Sequence, residues 1–179
     1  TSLFAIPSMY RVLLRTAEST KHDLSTLRLC TSGGEPLPGD VLDTFSKIFP
    51  VPLIEGYGLT EATAIVSVNL PEKCKPGSIG PPLDNLDVKI VNENGLSQPV
   101  NKEGEIWVKG PNIMRGYYNL PKETAETITS DRWLKTGDYG KLDEEGFLWI
   151  TGRKKELIII SGENVSPNEI EQIISGHEK

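Results

Sequence analysis

The sequence predicts an α/β fold in which a parallel strand–helix–strand part leads into a β-rich, barrel-like part and then the start of a further domain. Three observations carry this. Strand, loop, helix and strand alternate over the first 70 residues, the order of a βαβ unit. From about Pro71 turn signals crowd between short alternating runs. Near the end a capping box, Ser166-Pro167-Asn168-Glu169, opens a new amphipathic segment.

Taken in order, Ile6-Pro7-Ser8-Met9 reads as a helix start, with Met9, Val12, Leu13 and Leu14 as its apolar face. Leu27 to Cys30 is a short strand that ends in the polar turn Thr31 to Pro36. A second helix runs from about Pro38, its Val41, Leu42, Phe45, Ile48 and Phe49 forming one stripe. Val51 to Glu55 is a buried strand, and Ala64 to Val68 a further strand-like run. Pro76-Gly77, Gly80-Pro81-Pro82, Asn94-Gly95 and Glu103-Gly104 then punctuate runs such as 88–91 and 105–108, an antiparallel pattern. A helix from Lys122 to Thr127 interrupts it, and Phe147 to Ile150 is a strand. Ile170, Ile173 and Ile174 give the last helix an apolar face that nothing downstream covers. The expected domains are thus 1–70 (α/β), 71–152 (barrel-like, in the same large domain) and 153–179 (hinge and the beginning of a truncated C-terminal domain).

Composition narrows the function. With 25 acidic and 19 basic side chains the formal charge is −6, the wrong sign for nonspecific binding to nucleic acid. The longest apolar run, Leu157 to Ile160, is far short of the roughly 20 residues of a membrane span. The two cysteines, Cys30 and Cys74, have no metal-ligand spacing, and no secretory signal opens the chain. A cytoplasmic setting is expected.

Four stretches carry possible chemistry. Gly33 and Gly34, before Glu35 and Pro36, either let backbone approach a flat ligand or simply turn the chain. Gly56 and Gly58 flank Tyr57 and expose its ring at a strand end, where it can stack on a base. Leu59 follows, then Thr60 with a hydroxyl for a phosphate oxygen and Glu61 with a hard carboxylate suited to Mg²⁺. The plain alternative is a tight turn with a solvated Glu. In Thr136-Gly137-Asp138 the carboxylate either binds two sugar hydroxyls or closes a turn. Gly152-Arg153-Lys154-Lys155-Glu156, set between two strands ahead of Ser161-Gly162-Glu163-Asn164, is either a polyanion contact or a solvent-facing turn, and a candidate interdomain hinge.

Their order is more informative than any one of them. Ser32-Gly33-Gly34-Glu35-Pro36-Leu37-Pro38, then Gly56 to Glu61, then Thr136-Gly137-Asp138, then Gly152 to Ile158 resembles the adenylate-forming superfamily of acyl-CoA synthetases, peptide-synthetase adenylation domains and beetle luciferases. The resemblance extends through Gly77 to Pro82, Gly104-Glu105-Ile106 and Arg115 to Tyr118, and is strongest to fatty-acid or medium-chain acyl-CoA ligases. It implies part of the superfamily's large domain and the start of its small α+β C-terminal domain. It implies ATP, Mg²⁺ and CoA as partners of a small carboxylic acid, with an acyl-adenylate formed first and a thioester second. By residue, Gly33, Gly34, Glu35 and Pro36 would line the adenine pocket and Tyr57 would pack on the base. Thr60 would meet the α-phosphate and Glu61 would hold Mg²⁺. Asp138 would accept the ribose hydroxyls, with Arg153 nearby. Lys155 stands at the hinge position, and Gly162 at the pantetheine tunnel, although Ser161 replaces a glycine common in relatives.

The Ser/Thr/Gly-rich phosphate loop and the C-terminal catalytic lysine of that superfamily are absent from these residues, so the expectation is a fragment with weak nucleotide binding and no useful turnover alone. Two rivals share the motifs: an adenylation domain that loads a carrier-protein phosphopantetheine, and a noncatalytic nucleotide-binding module.

Overall fold

The structure is a computed structural model that describes residues 1–17, 24–160, 163–165, 167, 170 and 174. Its contacts divide the chain into two compact units, Thr1–Leu83 and Asp84–Lys179.

The first unit is built on a four-stranded sheet in the order β1-β2-β3-β4, with β1 Ser2–Ala5, β2 Leu29–Ser32, β3 Leu53–Tyr57 and β4 Ser67–Val68. The first three strands are parallel and β4 is antiparallel to β3. Two helices, α1 Pro7–Ala17 and α2 Gly39–Ile48, join the parallel strands, as the βαβ order requires. Tyr10, Cys30, Val41, Phe45 and Leu53 form the buried core, with Leu13, Leu14, Leu42 and Phe49 against them. On α1 the buried face is therefore Tyr10, Leu13 and Leu14, at i, i+3 and i+4. Met9 and Val12, expected on it, lie on the other side and are exposed. Ile48 of the α2 stripe is likewise exposed. The Tyr10 ring meets Phe45 edge-on at 5.6 Å, and its hydroxyl donates to the carbonyls of Thr31 at 3.0 Å and Leu3 at 3.2 Å. That hydroxyl has its pKa raised by burial and by the neighbouring Cys30.

β1 has no counterpart among the predicted elements, and the strand-like run 64–68 contracts to two residues. The reason is local: Thr63 and Ala64 are left-handed, at φ 50° and 79°, so the backbone cannot extend until Ile65. The chain from Pro71 to Leu83 folds back on this unit. Asn69 gathers it, donating from Nδ2 to Ser78 O at 2.7 Å and accepting from Lys75 N–H at 3.1 Å. Gly80, at φ +80°, passes so close to the Val68–Asn69 backbone that a Cβ there would overlap it.

The second unit is an antiparallel meander, β5 Asp87–Val91, β6 Gly104–Lys109, β7 Leu134–Leu142 and β8 Leu148–Arg153. Helix α3, Pro121–Thr127, sits between β6 and β7 with proline in its first turn. The barrel-like pattern of the sequence corresponds to this meander, in which β5 and β8 share no ladder among the described residues. Ile90, Val91, Ile106, Val108, Leu134, Phe147 and Leu148 are its core residues. On one face Lys89 stacks over Trp133 at 4.1 Å and Trp107 at 5.0 Å. A hairpin of β9 Ile158–Ile160 and β10 Glu163–Val165 follows. The capping-box residues Ser166, Asn168 and Glu169 lie outside the described residues.

Candidate functional site

In a parallel sheet, ligand-binding side chains gather at the carboxyl ends of the strands. In the first unit β2 and β3 end side by side there, Ser32 being the register partner of Glu55. Gly33 donates its N–H to Ala5 O at 3.3 Å. A Cβ on it would stand 3.2 Å from Gly56 O, so the two strand ends are nearly in backbone contact. Gly34 takes φ +87°, which glycine adopts freely, and Glu35 and Pro36 are exposed. The loop returns at Leu37, whose N–H donates to Glu55 Oε1 at 2.9 Å. Glu55 is 8% exposed. Burial pushes its carboxyl up to about 7, against the opposing pull of the Leu37 hydrogen bond. This residue was not among the sequence candidates. Its signal was a carboxylate directly after the apolar Leu53-Ile54.

The Gly56–Glu61 stretch follows β3. Tyr57 is buried, at 9% exposure, which corrects the expectation of an exposed ring. It lies within β3, and the chain returns over it as Val66 donates its N–H to Tyr57 O at 2.8 Å. Gly58 approaches the Ala64 carbonyl so closely that any Cβ would overlap it. The single-turn 3₁₀ helix Thr60–Ala62 is closed by Ala62 N–H to Leu59 O at 3.0 Å and Thr63 N–H to Thr60 O at 3.1 Å. Thr60 is exposed and Glu61 half-buried. The first unit thus carries a glycine loop, a hydroxyl and a carboxylate on the segments that follow the carboxyl ends of β2 and β3. A hard oxygen of this kind suits Mg²⁺, which is ordinarily held by one or two carboxylates together with phosphates and waters. No cluster of three or more metal-ligating side chains occurs among the described residues, so Glu61 could supply only part of such a shell.

In the second unit Thr136-Gly137-Asp138 lies within β7, not in a turn. Gly137 takes φ +75° inside the strand, and Thr136 Oγ1 ties the spot down by donating to Ile106 O at 2.7 Å and accepting from Asp138 N–H at 3.1 Å. Asp138 is 6% exposed and pairs with Arg153 Nε at 3.2 Å, its register partner on β8. The neighbouring Lys154 pairs with buried Glu105 at 3.1 Å, and Glu105 also accepts Gly137 N–H at 3.2 Å. Asp138 and Arg153 are therefore together. Lys155 is exposed in the turn after β8, and Gly162 lies outside the described residues.

The model of the AMP-binding enzyme family matches residues 1–118. A long-chain-fatty-acid–CoA ligase of Yersinia pestis is 41% identical over the whole chain, which covers 32% of that protein. The Bacillus subtilis ligase of the same name is 45% identical, with 96% of this chain and 31% of that protein aligned. Among solved structures, ATP-bound MatB from Rhodopseudomonas palustris superposes with a TM-score of 0.91 at 36% identity, covering 99% of this chain and 36% of that one. The O-succinylbenzoate CoA synthetase of Bacillus subtilis, with ATP and magnesium, gives 0.87 at 36% identity over the same shares. The chain spans about a third of the length of these relatives. With a strand-end glycine loop, a Tyr-Gly-Leu-Thr-Glu turn and a matched segment of this extent, the chain belongs to the AMP-binding enzyme family.

Proposed function

We propose that this chain is part of an enzyme that activates a carboxylic acid of the fatty-acid class with ATP and transfers the acyl group to CoA. The observation that carries this is 41–45% identity, over nearly all of the chain, to proteins named long-chain-fatty-acid–CoA ligases.

A carboxylate is a poor acyl donor because its leaving group would be oxide. In the first half-reaction a carboxylate oxygen bonds to the α-phosphorus of ATP, the bond to the β-phosphate oxygen breaks, and pyrophosphate leaves. In the second, a CoA thiolate bonds to the acyl carbon and AMP leaves with the electrons of the broken C–O bond. Charge spreads over phosphate oxygens in the first step, so oriented donors and cations matter most there.

In this reading Gly33, Gly34, Glu35 and Pro36 face adenine, and Tyr57 packs against it with the limited ring area that its burial leaves open. Gly56, Gly58 and Leu59 shape the turn. Thr60 donates to the α-phosphate, and its exposure is what such a contact needs. Glu61 holds Mg²⁺, which when bound neutralises phosphate charge. Asp138 accepts both ribose hydroxyls, with Arg153 beside it; the ion pair orients the buried carboxylate. Lys155 is the swivel between the large domain and the C-terminal domain, and Gly162 lines the thiol's approach. The cytoplasm is the proposed location. Among the described residues no helix is long and apolar enough to cross a membrane.

Acid-dependent exchange of pyrophosphate into ATP, followed by CoA-dependent thioester formation, tests this on the complete gene product with acids of graded length. Activity that peaks on aliphatic acids supports the reading. A peak on aromatic acids would favour a second one, prompted by similarity to an anthranilate CoA ligase at 30% identity and TM-score 0.90. Thioester formation only on a carrier protein would place the enzyme with the peptide-synthetase adenylation domains. Absence of any acid-dependent exchange would overturn the proposal.

A further inference from the structure

We propose that Glu55 is a positioning residue: by accepting the Leu37 N–H, its carboxylate fixes the returning end of the Gly33–Pro36 loop, and the loop's hold on a nucleotide follows the charge on that side chain. The loop leaves β2 at Ser32, the register partner of Glu55, and comes back at Leu37. One side chain therefore stands beside the loop's origin and grips its end.

Glu55 itself is well anchored. Its carbonyl accepts the Asn69 N–H at 2.9 Å and Asn69 Nδ2 at 3.3 Å, and its backbone pairs with β2. The loop is tied at its origin by Gly33 N–H to Ala5 O at 3.3 Å; beyond that bond Gly34 is left-handed and Glu35 and Pro36 are exposed until Leu37 meets Glu55. Leu37 N–H is the one hydrogen-bond donor to the Glu55 carboxylate among the described residues. Ser32 Oγ, on the register partner of Glu55, is fully buried without a partner among the described residues, so at the returning end the Glu55 carboxylate is the side-chain anchor.

An ionised acceptor makes a hydrogen bond roughly twice as strong as a neutral one. Burial brings the carboxyl up to about 7, so both forms are populated near neutrality. The Cys74 thiol faces Glu55 from the returning segment, its own pKa raised by burial and then by the Glu55 charge. The other charged groups nearby in sequence are Glu72, Lys73 and Lys75 on that segment and exposed Glu35 on the loop. The loop should therefore be held harder above neutrality than below it.

The consequence for nucleotide binding rests on the function proposed above, whereas the strut does not, and one experiment separates them. In protein labelled with [¹⁵N]leucine, the Leu37 amide is followed from pH 5.5 to 8.5, alongside AMP affinity, in wild type, Glu55→Gln and Glu55→Leu. The Leu37 amide proton is expected to move downfield through an inflection near neutrality in wild type and to lose that inflection in Glu55→Gln, which keeps an acceptor but cannot titrate. AMP affinity is expected to rise about fivefold from pH 6 to 8 in wild type, to stay flat in Glu55→Gln and to be weakest in Glu55→Leu. A flat Leu37 signal in wild type, an inflection that survives in Glu55→Gln, or AMP affinity indifferent to pH while Leu37 titrates would each overturn the proposal. Should Leu37 titrate as expected while AMP binds to none of the three, the strut stands and its link to nucleotide binding falls.

Discussion

Replacing Glu55 with Gln should make the protein more stable at pH 8 and change how its stability responds to pH. The side chain is 8% exposed, and its carboxyl rises from the ordinary 4.5 to about 7 in the fold. Between those values the folded chain retains a proton that the unfolded chain has released. Stability therefore falls as pH rises through this window and levels off above it. At about 1.4 kcal/mol for each pH unit of separation, the loss attributable to this group is about 3 kcal/mol. Glutamine keeps the acceptor for Leu37 and has no proton to release, so its stability should lack this slope. Urea unfolding of both proteins at pH 4 and pH 8, on tyrosine and tryptophan signals, reads the difference directly. The variant is expected to gain about 1–3 kcal/mol on wild type between the two conditions. Parallel stability curves across the window would refute the argument, since they would mean that the buried carboxyl titrates alike in the folded and unfolded chains.

Further changes address the proposed site and the fold. Glu61→Gln should lower acid-dependent pyrophosphate exchange about a hundredfold and raise the Mg²⁺ concentration needed, while far-UV circular dichroism stays unchanged. Asp138→Ala should raise the KM for ATP about tenfold or more with a smaller effect on kcat, because Arg153, already largely solvent-exposed, loses only its partner. Lys155→Pro should slow one half-reaction about tenfold more than the other, as separate exchange and thioester assays would show; no described hydrogen bond uses the Lys155 N–H. Gly80→Ala should cost about 2–4 kcal/mol by thermal unfolding, since it joins a φ of +80° to overlap with the Val68–Asn69 backbone.

Helical spacing made α1 and α2 readable as helices, and the proline start did so for α3, although Met9, Val12 and Ile48 turn out to face away from the core. The parallel ladder of β2 and β3 followed from the βαβ order. β1 escaped notice because four residues at a sheet edge, with Phe4 mostly exposed, leave no clear alternation. β7 escaped because Gly137 looks like punctuation, yet the strand absorbs its positive φ with help from Thr136 and Glu105. The motif residues were legible as types in order, but their environments were not. Tyr57 reads as an exposed ring from its flanking glycines, and only the returning chain at Val66 shows it covered. Glu55 reads as the polar end of an apolar strand; its burial arises from Leu37 and Asn69, which are distant in sequence.

At the end of β8, two successive cations each hold a buried carboxylate, Arg153 on Asp138 and Lys154 on Glu105, while Lys155 holds none among the described residues. The chain is thus pinned to the meander by two ion pairs up to Lys154, and the turn that carries Lys155 is closed locally, by Glu156 N–H and Leu157 N–H donating to Arg153 O at 2.9 and 3.1 Å. If Lys155 is the swivel proposed above, turning there would open those two local hydrogen bonds and leave both ion pairs in place, so that the angle swept would depend on a few backbone dihedrals rather than on the flexing of a sheet.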